Sequence, residues 1–150
     1  MFFTAVLLCA CQNTVETAGR VTKNISSAEQ PLQLMQSMDG VQDIRWELNK
    51  IQGEKAQYFH SQPYLLFNPQ LKQLQGSTGC NALSGHYEMN VAAHTLSMQA
   101  RAGYDSCDSA LAQEAMLMDV LGQTAAFQIE GRHLTLRSRS GQVLLQATKK

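Results

Sequence analysis

The segment Gly76-Ser77-Thr78-Gly79-Cys80-Asn81 constrains this chain more than any other, because two glycines and two hydroxyl residues stand directly before a cysteine. Glycine adopts backbone conformations that other residues avoid, so this spacing predicts a turn or a bulge between strands. Cys107 lies just before the best helical pattern of the chain. The arrangement predicts a turn and a helix start that lie close together, with a disulfide as one way of joining them. It is not the pattern of a catalytic centre.

The first eleven residues indicate export. Phe2 to Ala10 is an apolar run far shorter than the roughly 20 residues that span a bilayer. Its end, Leu8-Cys9-Ala10-Cys11, resembles the bacterial lipobox, in which Leu8 and Ala10 would precede the lipidated Cys11. The run departs from a usual signal because no Lys or Arg precedes it. The alternative is a buried N-terminal strand.

This resemblance predicts a lipoprotein of the bacterial cell envelope. Cys11 would carry the palmitate and anchor the protein to the membrane. Gln12, and not Asp, follows Cys11, which by bacterial sorting custom favours the outer membrane, with the protein facing the periplasm.

Cysteine usage agrees with export. If Cys9 leaves with the signal and Cys11 is acylated, Cys80 and Cys107 remain, and two cysteines in an oxidising compartment are expected to pair. Free buried cysteines are one alternative. The other makes Cys80 a nucleophile, with His86 or His94 as its base and Asn81 in support.

Length and charge favour one small exported domain. The chain has 150 residues, and its 12 Lys and Arg balance 12 Asp and Glu, so no basic excess favours nucleic acid as a partner. We expect a lipoprotein signal peptide at 1–10, a polar, flexible tether at 11–40 and the folded domain at 41–150.

Period-two alternation predicts most of the fold. It indicates strands around Ile44–Leu48, Tyr64–Phe67, Leu71–Gln75, Tyr87–Val91, Leu96–Arg101, Ala125–Glu130, Leu134–Leu136 and Val143–Ala147. Turn residues follow several of them, including Asn68-Pro69 and Gly131-Arg132. Strands do not alternate with helices, so the class is α+β and mostly β: a compact, antiparallel, barrel-like meander with one α-helix before the last strands.

That helix is predicted from about Ser109 to Leu121. Asp108 or Ser109 would cap its start, and Gly122 would follow its end. Its apolar face would consist of Leu111, Ala115, Leu117, Met118 and Leu121. Glu114 projects into that face and needs a partner, since burying an unpaired carboxylate is costly. Arg101, Arg45 or a backbone amide is the expected partner.

The sequence predicts no metal and no other cofactor. The histidines His60, His86, His94 and His133 do not form an i, i+2 pair, and neither HExxH nor CxxC occurs. Seven methionines could suggest copper. Core filling explains them better, because Met89, Met98 and Met118 fall on predicted inward faces.

An ordered set of residues resembles the META domain family, of HslJ-like bacterial lipoproteins. The set covers Val41 to about Ala147 and comprises Trp46-Glu47-Leu48, Gly53, Gly76-x-x-Gly79-Cys80-Asn81, Gly85-x-Tyr87, Leu96, Cys107, Glu114, Leu121 and Leu134-x-Leu136. Gly103–Ser106 departs from the Thr-x-Met-x that often precedes the second cysteine. The resemblance implies a barrel-like sheet with one helix and an envelope protein linked to stress response or antibiotic tolerance. It implies no established enzyme activity.

The resulting expectation is a non-catalytic envelope lipoprotein that binds another envelope protein or a small ligand. Contact is expected on polar strand faces, at His86, Glu88, Asn90, Gln99 and Arg101. The alternatives are a small cysteine-dependent envelope enzyme and an inhibitor of an external hydrolase.

Overall fold

The computed structural model describes residues 37–150. The predicted signal peptide, the lipobox with Cys11 and the tether up to residue 36 lie outside the described residues. The elements are β1 (Arg45–Ile51), β2 (Glu54–Lys55), β3 (Tyr64–Asn68), β4 (Gln73–Ser77), β5 (Ala82–Asn90), β6 (Thr95–Ala102), α1 (Leu111–Gln123), β7 (Thr124–Glu130), β8 (His133–Ser138) and β9 (Val143–Lys149).

The strands form a closed antiparallel barrel. Each strand from β3 to β9 pairs with its neighbour in the sequence, β1 pairs with β3, and β1 closes the sheet against β9. The two-residue β2 extends β1 as a short hairpin outside the ring of eight. The predicted fold class is therefore confirmed: mostly β, a barrel-like meander, and one helix before the last strands.

The alternating strand residues fill the barrel. Trp46, Phe67 and Tyr87 are among the largest fully buried side chains. The Phe67 and Tyr87 rings meet edge to face at 5.1 Å between centroids, an arrangement that the ring quadrupoles favour. The helix packs against β6 and β1. Among residues 37–150, no helix is both long and apolar enough to cross a bilayer.

Two glycines allow the close strand contacts that this barrel requires. A Cβ on Gly76 would lie 2.2 Å from the carbonyl oxygen of Tyr64, and one on Gly85 would lie 2.0 Å from that of Gln99. Both distances are shorter than non-bonded atoms tolerate, so neither position accepts a side chain without movement of the backbone. Gly76 thus belongs to strand β4, and the turn follows it.

The helix begins and ends later than predicted. It runs from Leu111 to Gln123, and Ala110 occupies the N-cap without a side-chain hydrogen bond, so the predicted caps Asp108 and Ser109 are wrong. The chain first makes a turn in which the Ala110 N–H donates to the Cys107 carbonyl. Gly122 lies inside the helix, which ends at Gln123, and Thr124 is both the C-cap of the helix and the first residue of β7.

The buried face of the helix also differs from the prediction. Leu117, Val120 and Leu121 are buried, whereas Leu111 is 79 % exposed and Ala115 is exposed. Leu111 lies in the first turn of the helix and lines a surface pocket together with Cys80 and Cys107. One strand also starts later than predicted: Leu71 belongs to a turn, and β4 begins at Gln73.

Candidate functional site

The turn between β4 and β5 is closed by its own side chains. Thr78 Oγ1 accepts hydrogen bonds from the backbone N–H of Asn81 at 2.8 Å and of Cys80 at 3.3 Å. Ser77 Oγ accepts from the N–H of Gly79 at 3.0 Å. Gly79 has a φ of +100°, a conformation that glycine adopts without strain. The small hydroxyl residues and Gly79 therefore shape the turn, and Cys80 and Asn81 extend from it.

A disulfide joins this turn to the loop before the helix. Cys80 and Cys107 are bonded, with their Cα atoms 5.9 Å apart, which confirms the predicted disulfide. Asn81 makes the same connection without a covalent bond. Its Oδ1 accepts from the Asp105 N–H at 2.7 Å, and its Nδ2 donates to the Asp105 carbonyl at 3.0 Å. The loop is thus attached to the turn at two neighbouring points.

Glu114 attaches the helix to the same turn. Its Oε2 accepts from Thr78 Oγ1 at 2.9 Å and from Asn81 Nδ2 at 2.8 Å. The predicted partners, Arg101, Arg45 or a backbone amide, are therefore wrong. Arg45 lies over the Tyr64 ring at 3.5 Å. A hydroxyl and an amide satisfy the carboxylate in place of a cation, and together with Cys80 and Cys107 these residues form what we call the motif cluster (Thr78, Cys80, Asn81, Cys107 and Glu114).

His60 contacts this cluster, a placement that sequence reasoning missed. The backbone N–H groups of His60 and Ser61 both donate to the Gly79 carbonyl at 3.0 Å. These bonds place the His60 ring against the disulfide, with Nδ1 3.4 Å from Cys107 Sγ. The contact joins residues 47 positions apart, and no local pattern in the sequence indicates it.

The two histidines proposed as bases for Cys80 lie elsewhere. His86 is exposed on β5, opposite Gln99 of β6, and His94 stacks on Phe127 at 5.5 Å between ring centroids. A nucleophilic cysteine needs a free thiolate, and Cys80 is bonded to Cys107. In the described part of the chain, no three or more His, Cys, Asp or Glu side chains group as metal ligands.

A pocket of about 310 Å³ opens beside the disulfide. Both cysteines, Asn81 and Glu114 line it. Two further lining residues are large and exposed: Tyr104 is fully exposed and Leu111 is 79 % exposed. The two half-buried cysteines therefore border a space large enough for a small molecule.

A second polar network links the buried Tyr87 to the segment before β1. The buried Tyr87 hydroxyl donates to Gln42 Oε1, and Gln42 Nε2 donates to Asp39 Oδ2. Burial, together with the nearby Asp39 and Asp43 carboxylates, raises the pKa of Tyr87 to about 12. Burial alone would raise the pKa of Asp39, but hydrogen bonds from Ser37, Gln42 and Val41 outweigh it and lower that pKa. Tyr87 is thus a neutral structural donor at ordinary pH.

A shallow groove of about 540 Å³ crosses the outer faces of β4, β5 and β6. Two cross-strand rows of polar residues line it. One row consists of Gln73, His86 and Gln99, and the other of Gln75, Ser84 and Arg101. Between residues 37 and 150, none of these six side chains makes a hydrogen bond or an ion pair with another side chain or with the backbone. The residues are Gln73, Gln75, Ser84, His86, Gln99 and Arg101. Three of the residues predicted as contact sites, His86, Gln99 and Arg101, lie here. The other two, Glu88 and Asn90, continue along β5 beside a neighbouring depression.

The barrel, the helix and the motif cluster define a small disulfide-containing β-barrel domain, and comparison with known proteins gives its family. The chain matches the META domain over residues 39–150 and belongs to that family. It matches no curated protein.

Solved structures share the fold. One protein solved by NMR is 19 % identical with a TM-score of 0.58, and the match covers 76 % of this chain and 96 % of that one. Another, from Burkholderia xenovorans and also solved by NMR, is 16 % identical with a TM-score of 0.58, covering 73 % of this chain and 83 % of that one. These likenesses concern the fold alone.

Proposed function

We propose that this protein is a non-catalytic binding module, carried on the bacterial envelope by a lipid at Cys11 and facing the periplasm from the outer membrane. The observation that carries the proposal is the outer groove, where six polar side chains meet without partners among the described residues. Their hydrogen bonds to water can be exchanged for bonds to a ligand.

The rigidity of the barrel supports binding at this groove. Four of the lining residues lie on β4 and β5, which are paired on both sides along the groove. Gln99 and Arg101 lie on β6, which pairs with β5 there and with β7 only at Thr95. Gly85 lets the backbones of β5 and β6 approach closely beneath the groove. A fixed backbone holds these positions in place, so binding costs the rotamer freedom of the side chains but little freedom of the backbone. Arg101 and His86 add donors for acidic groups, and the glutamines offer both donors and acceptors.

The absence of a free nucleophile in the motif cluster agrees with a non-catalytic role. The thiols that a cysteine enzyme would use are bonded to each other, and Glu114 is occupied by Thr78 and Asn81. A link to stress response or antibiotic tolerance is part of the proposal and would act through the bound partner.

Site-specific photocrosslinking in living cells tests the groove. A photoreactive amino acid at Gln99 of the full chain should give a discrete product with an envelope component. The same amino acid at Lys50, an exposed position on β1 outside the groove, is the control. A product that forms equally at both positions, or at neither, would contradict binding through the groove.

Genetic complementation tests the stress link. A deletion strain should survive heat or antibiotic exposure less well than its parent, and the wild-type gene should restore survival. A gene carrying Gln99→Ala and Arg101→Ala should not restore it, although the encoded protein remains folded and abundant. Full rescue by this variant would separate the phenotype from the groove.

Metabolic labelling tests the anchor. The wild-type protein should incorporate labelled palmitate and fractionate with the outer membrane. A Cys11→Ser variant should remain unlabelled, because a serine cannot form the thioether that carries the lipid. An unlabelled wild type would refute the lipoprotein assignment.

A further inference from the structure

The disulfide lies on the surface with a histidine beside one of its sulfurs. His60 Nδ1 is 3.4 Å from Cys107 Sγ, and this contact is exposed to solvent. On the other sulfur, the amide Nδ2 of Asn81 lies 3.8 Å from Cys80 Sγ. An imidazole nitrogen therefore lies next to Cys107, whereas the two amide hydrogens of Asn81 beside Cys80 are already donated to Asp105 and Glu114.

Non-covalent contacts position the groups around the disulfide. The His60 segment is attached to Gly79 by two backbone hydrogen bonds, and Asp105 is attached to Asn81 by two more. Asn81 is in turn fixed by Glu114. Breaking the sulfur–sulfur bond would leave all of these contacts in place, so His60 would stay next to Cys107 while the disulfide opens.

We infer that this disulfide is a thiol-exchange site, at which Cys80 is attacked and His60 supplies the proton to the departing Cys107. The pocket of about 310 Å³ that both cysteines line admits the attacking thiol. The substrate class is a small thiol or dithiol, which is oxidised while the protein disulfide is reduced.

The exchange balances in two steps. First, a thiolate forms a bond to Cys80 Sγ, the Cys80–Cys107 bond breaks, and its electron pair goes to Cys107 Sγ, which takes a proton from the adjacent His60 ring when that ring carries two protons and otherwise from water. Second, another thiolate attacks the substrate sulfur of this mixed disulfide and releases Cys80, which takes a proton from water. Two substrate thiols become one disulfide, and the protein gains two thiols.

His60 accelerates the first step for a physical reason. Thiol–disulfide exchange is faster when the leaving sulfur is a more stable thiolate, and a neighbouring cation or proton donor stabilises it. Cys80 has an amide as its neighbour, so Cys107 is the better leaving group. The exchange is stoichiometric and does not use the outer groove, so it succeeds or fails independently of the proposed binding function.

The test is reaction of the folded, oxidised full chain with excess glutathione at neutral pH, followed by acid trapping and mass spectrometry. We expect a mixed disulfide on Cys80 as the first product. We expect the second-order rate constant to fall about 10-fold or more in His60→Gln. The control His86→Gln, the same change at an exposed strand histidine, should react as the wild type does. In denaturant all three proteins should react at one common rate.

Three results would overturn the inference. The first is a folded protein that does not react in the time that the unfolded protein reacts completely. The second is a mixed disulfide with glutathione that forms on Cys107 before it forms on Cys80, a result that the wild-type protein alone can give. The third is an unchanged rate in His60→Gln.

Discussion

Glu114 gives the sharpest test of how the fold is held together. Its carboxylate accepts hydrogen bonds from Thr78 and Asn81, which are 1 % and 2 % exposed. Replacing Glu114 by Ala removes the acceptor and leaves two buried donors without it. A buried donor left unsatisfied costs about 1–3 kcal/mol. The two donors together cost about 2–6 kcal/mol, and alanine recovers about 0.5 kcal/mol through its higher helix propensity. The free energy of unfolding should therefore fall by about 1.5–5.5 kcal/mol.

Glu114→Gln separates the charge from the hydrogen bonds. The glutamine oxygen can still accept from both donors, but bonds to a neutral acceptor are about half as strong as bonds to a carboxylate. We expect this variant to lose about 1 kcal/mol, clearly less than Glu114→Ala. Equal losses in the two variants would mean that the charge, and not the acceptor, matters.

Urea denaturation of the oxidised full chain, followed by circular dichroism, measures these differences. Asp119→Ala is the matched control, because Asp119 lies on the same helix, is exposed and bonds only to glutamine side chains among the described residues. It should cost less than about 0.5 kcal/mol. If Glu114→Ala is as stable as this control, the carboxylate is solvated in solution and the cluster does not stabilise the fold.

Three more perturbations test other parts of the structure. The double change Cys80→Ser with Cys107→Ser should lower the free energy of unfolding by about 3.5 kcal/mol through loop-closure entropy over a separation of 27 residues, and an unchanged urea midpoint would contradict this. Gly85→Ala should lower the free energy of unfolding by more than about 2 kcal/mol, because its methyl would meet a backbone oxygen at 2.0 Å. Gly122→Ala, in open space on the helix, should raise that free energy by about 0.5–1 kcal/mol. Melting temperatures that shift in the same direction in both variants would refute this contrast. The pKa of Tyr87 is raised from 10.0 to about 12, so its contribution to folding stability is full below pH 10 and is lost as the pH rises toward 12. The free energy of unfolding should fall more steeply over that range in the wild type than in Tyr87→Phe. Equal slopes in the two proteins would exclude the effect.

Local periodicity predicted most strands because each strand has one face in the barrel. Leu96 with Met98 and Leu134 with Leu136 alternate with polar neighbours, and all four are buried. Strand β2 was not predicted, since its two residues are both exposed and carry no alternation. For the helix, the same reasoning assigned the wrong buried face, because hydrophobicity alone could not show that Leu111 lines a surface pocket while Val120 is buried.

The partners within the motif cluster could not be predicted from spacing. Glu114 reaches Thr78 across 36 positions, and His60 reaches Cys107 across 47. Such contacts depend on how the barrel closes and on where the loops cross its rim, which no local pattern records. Of the contacts in the cluster, only the disulfide could be predicted, because the number of cysteines and the export signal limit the possible cysteine pairs.

The burial of the family-motif residues indicates where function is to be sought. Trp46, Asn81 and Tyr87 are at most 2 % exposed, and Gly76 and Gly85 serve close backbone approach. These residues determine the barrel and its attached helix, so sharing them implies a shared architecture and no particular ligand. Under the function proposed above, the side chains that recognise a partner are the exposed ones of the outer groove, around Gln99. Under that proposal, a change of ligand requires substitutions in the groove and can leave the motif cluster intact.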